Sequence, residues 1–332
     1  MSTLYVTEPD AHIRKVDERI QVVKDRKVLV DIPLIKLTQA VFFGSGVLTG
    51  PAIQTFLEHR IPVIYMTPYG KFLGRLEPET SRNVLLRKAQ YRAAFDPARQ
   101  REIAGRFVAG KLANQRTYLV RANRERRGEE IDRVIERIKV EERALATSPD
   151  VATLMGREGA AAAAYFEGLA HLLPPEFRFE KRVRRPPRDP VNALLSFGYT
   201  LLFGDLLSAC SLVGFDPYVG YLHADRYGKA SLALDLSEEF RTPVADSVVL
   251  TCINKRILTP EDFREEPGGV CLLTDEGRKK FLGQYEGRKQ TTFRHPVFDY
   301  ETTYLRAFEL QARLLGKYLL GETEAYVPLT IR

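Results

Sequence analysis

The 332-residue sequence is short of cysteine. It has three, Cys210, Cys252 and Cys271, an odd number with no C-x-x-C spacing. That argues against a disulfide scaffold and against a cysteine zinc knuckle, and makes the reducing cytoplasm the expected compartment. The opening stretch, MSTLYVTEPDAHIRKVDERI, has no basic segment followed by an apolar one, so no signal peptide is expected. Long unbroken apolar runs are lacking too. The most apolar one, Ala193–Phe215, is interrupted by Gly198, Gly204 and Asp205, and reads as a buried core helix rather than a membrane span. There is no P-loop, no G-x-G-x-x-G after a strand, no H-E-x-x-H, no G-x-S-x-G and no internal repeat. Serines and cysteines lie in apolar helices with no base nearby in sequence, which leaves no activated nucleophile.

What is present is a foldable, mildly basic chain. Hydrophobic residues make up 44% and charged residues 28%, ample for a core and unlike a disordered protein. At roughly 150 residues per domain the length suggests about two domains. Lys and Arg number 50 against 43 Asp and Glu, a net charge of +7. That excess permits a polyanionic partner such as nucleic acid without requiring one.

The hydrophobic pattern divides the chain. Residues 1–80 read as strands: Leu4–Val6, Arg19–Val23 and Lys27–Asp31 as a hairpin, Gln39–Phe43, Ile61–Tyr65 and Gly70–Gly74. A short helix follows Thr49, with Pro51 in its first turn, where a missing N–H does no harm. Residues 81–332 read as helices over Ser81–Phe95, Pro97–Arg124, Glu129–Ala146, Asp150–Leu173, Pro190–Val213, Leu236–Arg256, Thr274–Arg288 and Pro296–Leu320. The expected class is α+β, with a small N-terminal β domain and a large all-α C-terminal domain. Lys181–Arg188, broken by two prolines, is a basic loop.

Three places could carry chemistry. In the helix Asp150–Leu173, the residues Val151, Leu154, Ala162, Tyr165 and Leu169 share a face, and Glu158 falls on it. A carboxylate there must be paired, protonated or metal-bound; the plain alternative is an edge glutamate paired with an arginine. The run Ala160–Ala164 lets a backbone or ligand approach closely. His223 lies in a short non-helical stretch, where a hydrogen-bonded surface histidine is the alternative. His12, His59, His171 and His295 have no acidic cluster at useful spacing. Asp235 and Glu238 look like a helix start, Asp235 at the N-cap and Glu238 at N3. The same two groups could face a metal, and with one imidazole they would suit Mn²⁺ or Mg²⁺.

Four stretches taken together resemble a known family. They are Gly156–Phe166 (GREGAAAAAYF), Asp189–Tyr199 (DPVNALLSFGY), Gly214–His223 (GFDPYVGYLH) and Leu232–Arg241 (LALDLSEEFR). In this order, after a strand-rich beginning, they resemble the universal CRISPR-associated adaptation endonuclease, the metal-dependent integrase that inserts new spacers. The opening run Thr3–Ala11 and the Arg-Arg-Pro-Pro before Asp189 look most like its type I-C branch. The resemblance implies a β-sandwich-like N-terminal domain that dimerises and a helical domain holding Mg²⁺ or Mn²⁺ on Glu158, His223 and Glu238, with Asp235 as second choice. It implies asymmetric homodimers clamping a dimer of the small second adaptation protein, double-stranded DNA as protospacer and CRISPR repeat, no membrane, and in the type I-C branch an additional RecB-like CRISPR nuclease.

The implied chemistry is attack on a phosphodiester by a DNA 3′-OH or by water, assisted by the metal as Lewis acid and needing no covalent protein intermediate. Arg182, Arg184, Arg185 and Arg188 would contact phosphates non-specifically, or simply form a solvated loop. Two other readings stand beside this one: a basic helical nucleic-acid-binding protein without catalysis, and an assembly subunit whose chemistry lies in a partner.

Overall fold

The computed structural model describes residues 2–79, 81, 83–184, 186–224 and 226–331. The first part holds strands β1 (Ser2–Val6), β2 (Ala11–Val16), β3 (Arg19–Lys24), β4 (Lys27–Pro33), β5 (Leu37–Phe43) and β6 (Gly46–Leu48), helix α1 (Gly50–Glu58), then β7 (Val63–Met66) and β8 (Phe72–Leu76). They form two four-stranded sheets, ordered β1-β5-β7-β8 and β4-β3-β2-β6. The expected hairpin is β3–β4, closed by Asp25 and Arg26, both at positive φ (48° and 64°), as a two-residue turn that follows the strand twist requires. The short strands β2 and β6, not expected from the pattern, pair in parallel.

Strand β5 explains how the sheets meet the rest. Alternate residues point to opposite faces. Ala40 and Phe42 join Leu4, Ile13, Ile20 and Phe56 in a core shared by both sheets and α1. Val41 and Phe43, with Ile64 and Met66 of β7, join the core of the helical part. A strand covered on both faces reads as a continuous apolar run, which Ala-Val-Phe-Phe is.

The helices are α2 (Val84–Phe95), α3 (Pro97–Arg126), α4 (Glu129–Ala144), α5 (Val151–Ala170), α6 (Pro190–Val213), α7 (Ser231–Phe240), α8 (Ser247–Asn254), α9 (Asp275–Gln290) and α10 (Tyr304–Leu319). The 24-residue α6 is long and apolar enough to cross a membrane, but 72% of its apolar window is buried inside the fold. Asp205 at its middle is tied down by Tyr285, whose hydroxyl donates to it at 2.8 Å.

Three sequence expectations need correction. Residues 81–332 are not all-α: β9 (Phe263–Glu266) and β10 (Val270–Leu273) form one antiparallel pair, β11 (Thr292–Arg294) and β12 (Glu301–Thr303) another. The first closes over Gly268 and Gly269, both at positive φ. The last helix starts at Tyr304 rather than Pro296, because Thr303 caps it and the preceding residues turn back as a hairpin. The helix expected over Leu236–Arg256 is two α-helices joined by a π-helical segment, Arg241–Asp246. Pro243 inside it cannot donate the i→i−4 bond.

The parts are also joined by charge. Lys289 of α9 is fully buried. Its ammonium reaches Thr3 Oγ1 of β1 at 2.9 Å, Glu286 at 3.0 Å and Asp205 at 3.4 Å. Burial works against its charge, but Asp205, Tyr5 and Glu286 outweigh it and hold the ammonium above the usual lysine range. Lys289→Met is therefore expected to lower unfolding stability by about 3–5 kcal/mol, since it leaves buried carboxylates without a counter-charge. Urea denaturation measures this, and a loss under about 1 kcal/mol would mean the network carries no net weight.

Candidate functional site

Helix α3 packs against both α5 and α7, and one polar cluster joins the three. Ile103, Phe107, Lys111 and Asn114 form a buried stripe along α3. The Lys111 ammonium pairs with Glu158 of α5 and stands 2.6 Å from Oε2 of Glu238 on α7. Glu238 is 2% exposed and Glu158 20%. The carboxylate on the α5 stripe is thus paired as the plain reading asked, but with a lysine shared by a second carboxylate.

Asp235 and Glu238 do not start their helix. Helix α7 begins at Ser231, and Ala230 occupies the N-cap without a side-chain bond. Leu232 N–H donates to the Pro217 carbonyl at 3.0 Å, which satisfies a first-turn donor without a capping side chain. The capping-box reading is therefore wrong. Asp235 is fully buried and serves as the anchor of the preceding loop. Its Oδ2 accepts the N–H groups of Tyr221 (2.6 Å) and Leu222 (2.9 Å), and its Oδ1 accepts that of His223 (3.0 Å). Gly220 makes this possible, because a Cβ there would lie 2.7 Å from Asp235 Oδ2.

The same Oδ1 lies 2.7 Å from Nδ1 of His223. With a carboxylate as acceptor, Nδ1 carries the proton, and Nε2 presents its lone pair. Nε2 faces Glu238 Oε1 at 3.8 Å. Asp235 therefore orients the histidine, and its oxygens are already committed.

One turn beyond Glu238, Arg241 donates to Oε1 at 2.8 Å and stacks on Tyr199 with its guanidinium carbon 4.9 Å from the ring centre. Burial pushes the Glu238 carboxyl up, but Arg241, Lys111 and His223 together bring it down to about 2. Glu238 Oε2 faces the Lys111 ammonium at 2.6 Å without a well-oriented hydrogen bond. The neighbouring Glu239 points the other way. It accepts from Gln311 and from Leu329 N–H, each at 2.7 Å, and from the Tyr326 hydroxyl. Its burial raises it to about 7.

Among the described residues, no three His, Cys, Asp or Glu side chains stand ready to hold a cation. Glu158 and Glu238 share the Lys111 ammonium, which sits between them, and Nε2 of His223 faces Glu238 alone. The chemistry of the set fits a divalent cation: two carboxylates, one neutral imidazole nitrogen with its far side fixed, and a buried oxygen without a hydrogen bond.

The basic loop divides. Arg182 is half-buried and donates to Asn192 Oδ1 (2.8 Å) and Ser196 (3.0 Å), while also lining the cavity that Arg184 lines. Arg184 and Arg188 are exposed, and Arg185 lies outside the described residues. Arg184 lines a cavity of about 920 Å³ with Lys229, Arg241, Tyr69 and Tyr227. Lys111 and Arg241 were missed by sequence reasoning. For Lys111 the signal existed: a charged residue in register with Ile103 and Phe107.

The profile of the family described as CRISPR associated protein Cas1 matches residues 4–287. A CRISPR-associated endonuclease Cas1 of Thermus thermophilus is 40% identical over 334 residues, spanning 100% of this chain and 98% of its own. The chain belongs to the Cas1 family. Among solved structures it resembles a casposase bound to integration product, with a TM-score of 0.85 and 25% identity over 98% of this chain and 93% of that one. It also resembles a chain of a Cas6-RT-Cas1–Cas2 complex, with a TM-score of 0.83 and 26% identity over 99% of this chain and 36% of that one. The mixed α+β fold, strands first and helices after, is that of Cas1 structures.

For this Cas1 protein, Asp235→Asn is a sharp test of the loop anchor. An amide offers one acceptor oxygen where the loop needs two and turns an NH₂ toward N–H donors. The expected loss is about 2–4 kcal/mol of stability, read by urea denaturation. A loss below about 0.5 kcal/mol would show that the carboxylate does not hold the loop.

Proposed function

We propose that this chain is a metal-dependent DNA integrase and endonuclease of CRISPR adaptation, with Glu158, Glu238 and Nε2 of His223 as its metal ligands. The observation that carries the reading is that Glu158 and Glu238 share one ammonium while Glu238 faces Nε2 of His223, whose Nδ1 is taken by Asp235. Mg²⁺ or Mn²⁺ bound there would supply Lewis-acid stabilisation of charge on the phosphoryl oxygens.

The chain's own groups have separable tasks. Glu158 and Glu238 provide the negative charge that retains a divalent ion. Asp235 keeps the imidazole in one tautomer. Arg241 holds Glu238, and Arg184 and Arg188 on the surface are suited to phosphate oxygens. The cavity lined by Arg182, Arg184, Lys229, Arg241, Tyr69 and Tyr227 has the basic and aromatic character that DNA binding requires. No nucleophilic side chain is needed, since the attacking oxygen belongs to a DNA 3′-OH or to water.

The same proposal covers assembly. The two sheets form a sandwich-like unit within residues 1–80, and this unit dimerises. Its support is the edge strand β4, where Val28, Leu29 and Val30 are exposed; an apolar sheet edge is a surface that pairs. The likeness to a chain of a Cas1–Cas2 complex supports a dimer of the small second adaptation protein as partner. On the sequence stretches named above we place the chain in the type I-C branch, with a RecB-like nuclease as further partner and a cytoplasmic location.

An oligonucleotide strand-transfer assay tests the chemistry. In Mn²⁺, Glu158→Ala and Glu238→Gln are each expected to lower strand transfer by about 10³-fold or more. Transfer within about threefold of the parent protein would remove that residue from the site. For the dimer, Leu29→Lys is expected to weaken self-association at least about tenfold by breaking the exposed edge, as measured by sedimentation equilibrium. An unchanged dissociation constant would move the interface elsewhere.

A further inference from the structure

The lysine at the centre of the site has no part in the chemistry proposed above. Lys111 is held on α3 with its side chain 5% exposed, and a single ammonium serves carboxylates from two other helices. A surface lysine can leave such a pair freely. This one is buried with the pair, and the pair would otherwise be two like charges in a place of low dielectric. The ammonium therefore does part of what a bound metal would do: with Arg241 it offsets the charge of Glu158 and Glu238, and it ties α5 and α7 to α3.

A divalent ion cannot simply be added. Mg²⁺ demands oxygens at about 2.1 Å, and the Lys111 nitrogen already stands 2.6 Å from Glu238 Oε2. Two positive charges on one carboxylate oxygen, in a buried site, repel strongly. Arg241 does not solve the problem, since it engages the other oxygen, Oε1. The lysine stem, with its rotatable bonds, is the part of the site built to move.

We propose that Lys111 is a resident counter-cation that holds the metal-free site together and must be displaced when the divalent ion binds. The inference rests on the metal reading of Glu158, His223 and Glu238. Lys111 then sets a threshold: it lowers affinity for the ion and keeps the two glutamates from turning to other partners.

Two measurements on the full chain test this, both with Mn²⁺ alone and no DNA. The first is calorimetric affinity. Lys111→Met removes the competing charge at nearly constant volume, and its Mn²⁺ dissociation constant is expected to fall about tenfold or more, while Lys111→Arg stays within about threefold of the parent. Equal or weaker binding by Lys111→Met, with the parent protein binding normally, overturns the role of Lys111 and leaves the metal reading intact. No binding by any of the three proteins overturns both.

The second needs no variant and so survives a failure of Lys111→Met to fold. Acylation of lysines in the parent protein, mapped by mass spectrometry, should find Lys111 protected without metal and its labelling raised at least about fivefold at saturating Mn²⁺, in line with release of a buried amine. Unchanged protection at a Mn²⁺ occupancy confirmed by electron paramagnetic resonance overturns the displacement.

Discussion

Carboxylates buried side by side need positive charge between them, and this requirement organises the helical part of the molecule. Glu158 and Glu238 come from α5 and α7, and their counter-charges from α3 and from the turn after α7. The arrangement works only if the three helices keep fixed spacings. Asn114 of α3 donates to the carbonyls of Glu239 and Leu329, at 2.8 and 2.9 Å, and so ties α3, α7 and the final segment of the chain together. Gly168 lets α5 approach α3 and α4, where a Cβ would meet Val134 and Leu119 at 3.0–3.1 Å. Packing of this density turns a set of polar side chains into a site with one geometry.

Much of this was legible in the sequence, for physical reasons that can be named. Strand β5 was legible because it is covered on both faces and so is apolar throughout. Glu158 stood out because a carboxylate on an apolar stripe needs a partner. The start of α7 was not legible. Asp235 and Glu238 have the spacing of a capping box, and nothing local distinguishes a capping aspartate from one that holds a loop twelve residues upstream. The carbonyl of Pro217, which relieves the first turn of its need for a cap, belongs to tertiary structure. The hairpins in the second half were hidden by their length of three or four residues per strand, too short for alternation to show.

Lys111 and Arg182 show the opposite error in reading long basic side chains. Lys111 was passed over because a lysine's stem can cover apolar surface while its head reaches water, so a lysine in a helical stripe attracts little notice. Arg182 stands in a run of arginines, yet its guanidinium also holds Asn192 and Ser196 where it lines the basic cavity. Charge runs locate a surface; they do not say which member of the run faces out.

Cas1 membership and a buried set of two glutamates sharing one ammonium beside an oriented histidine are consistent with the same chemistry. The claim that joins them is that these three residues close on one divalent ion. Crystals soaked in Mn²⁺ and measured at the manganese absorption edge test it most directly. The account predicts one anomalous peak within about 2.0–2.4 Å of Glu158, Glu238 and Nε2 of His223. A Mn²⁺ peak elsewhere in the chain, with the pairing of Lys111 to both glutamates undisturbed, would contradict it.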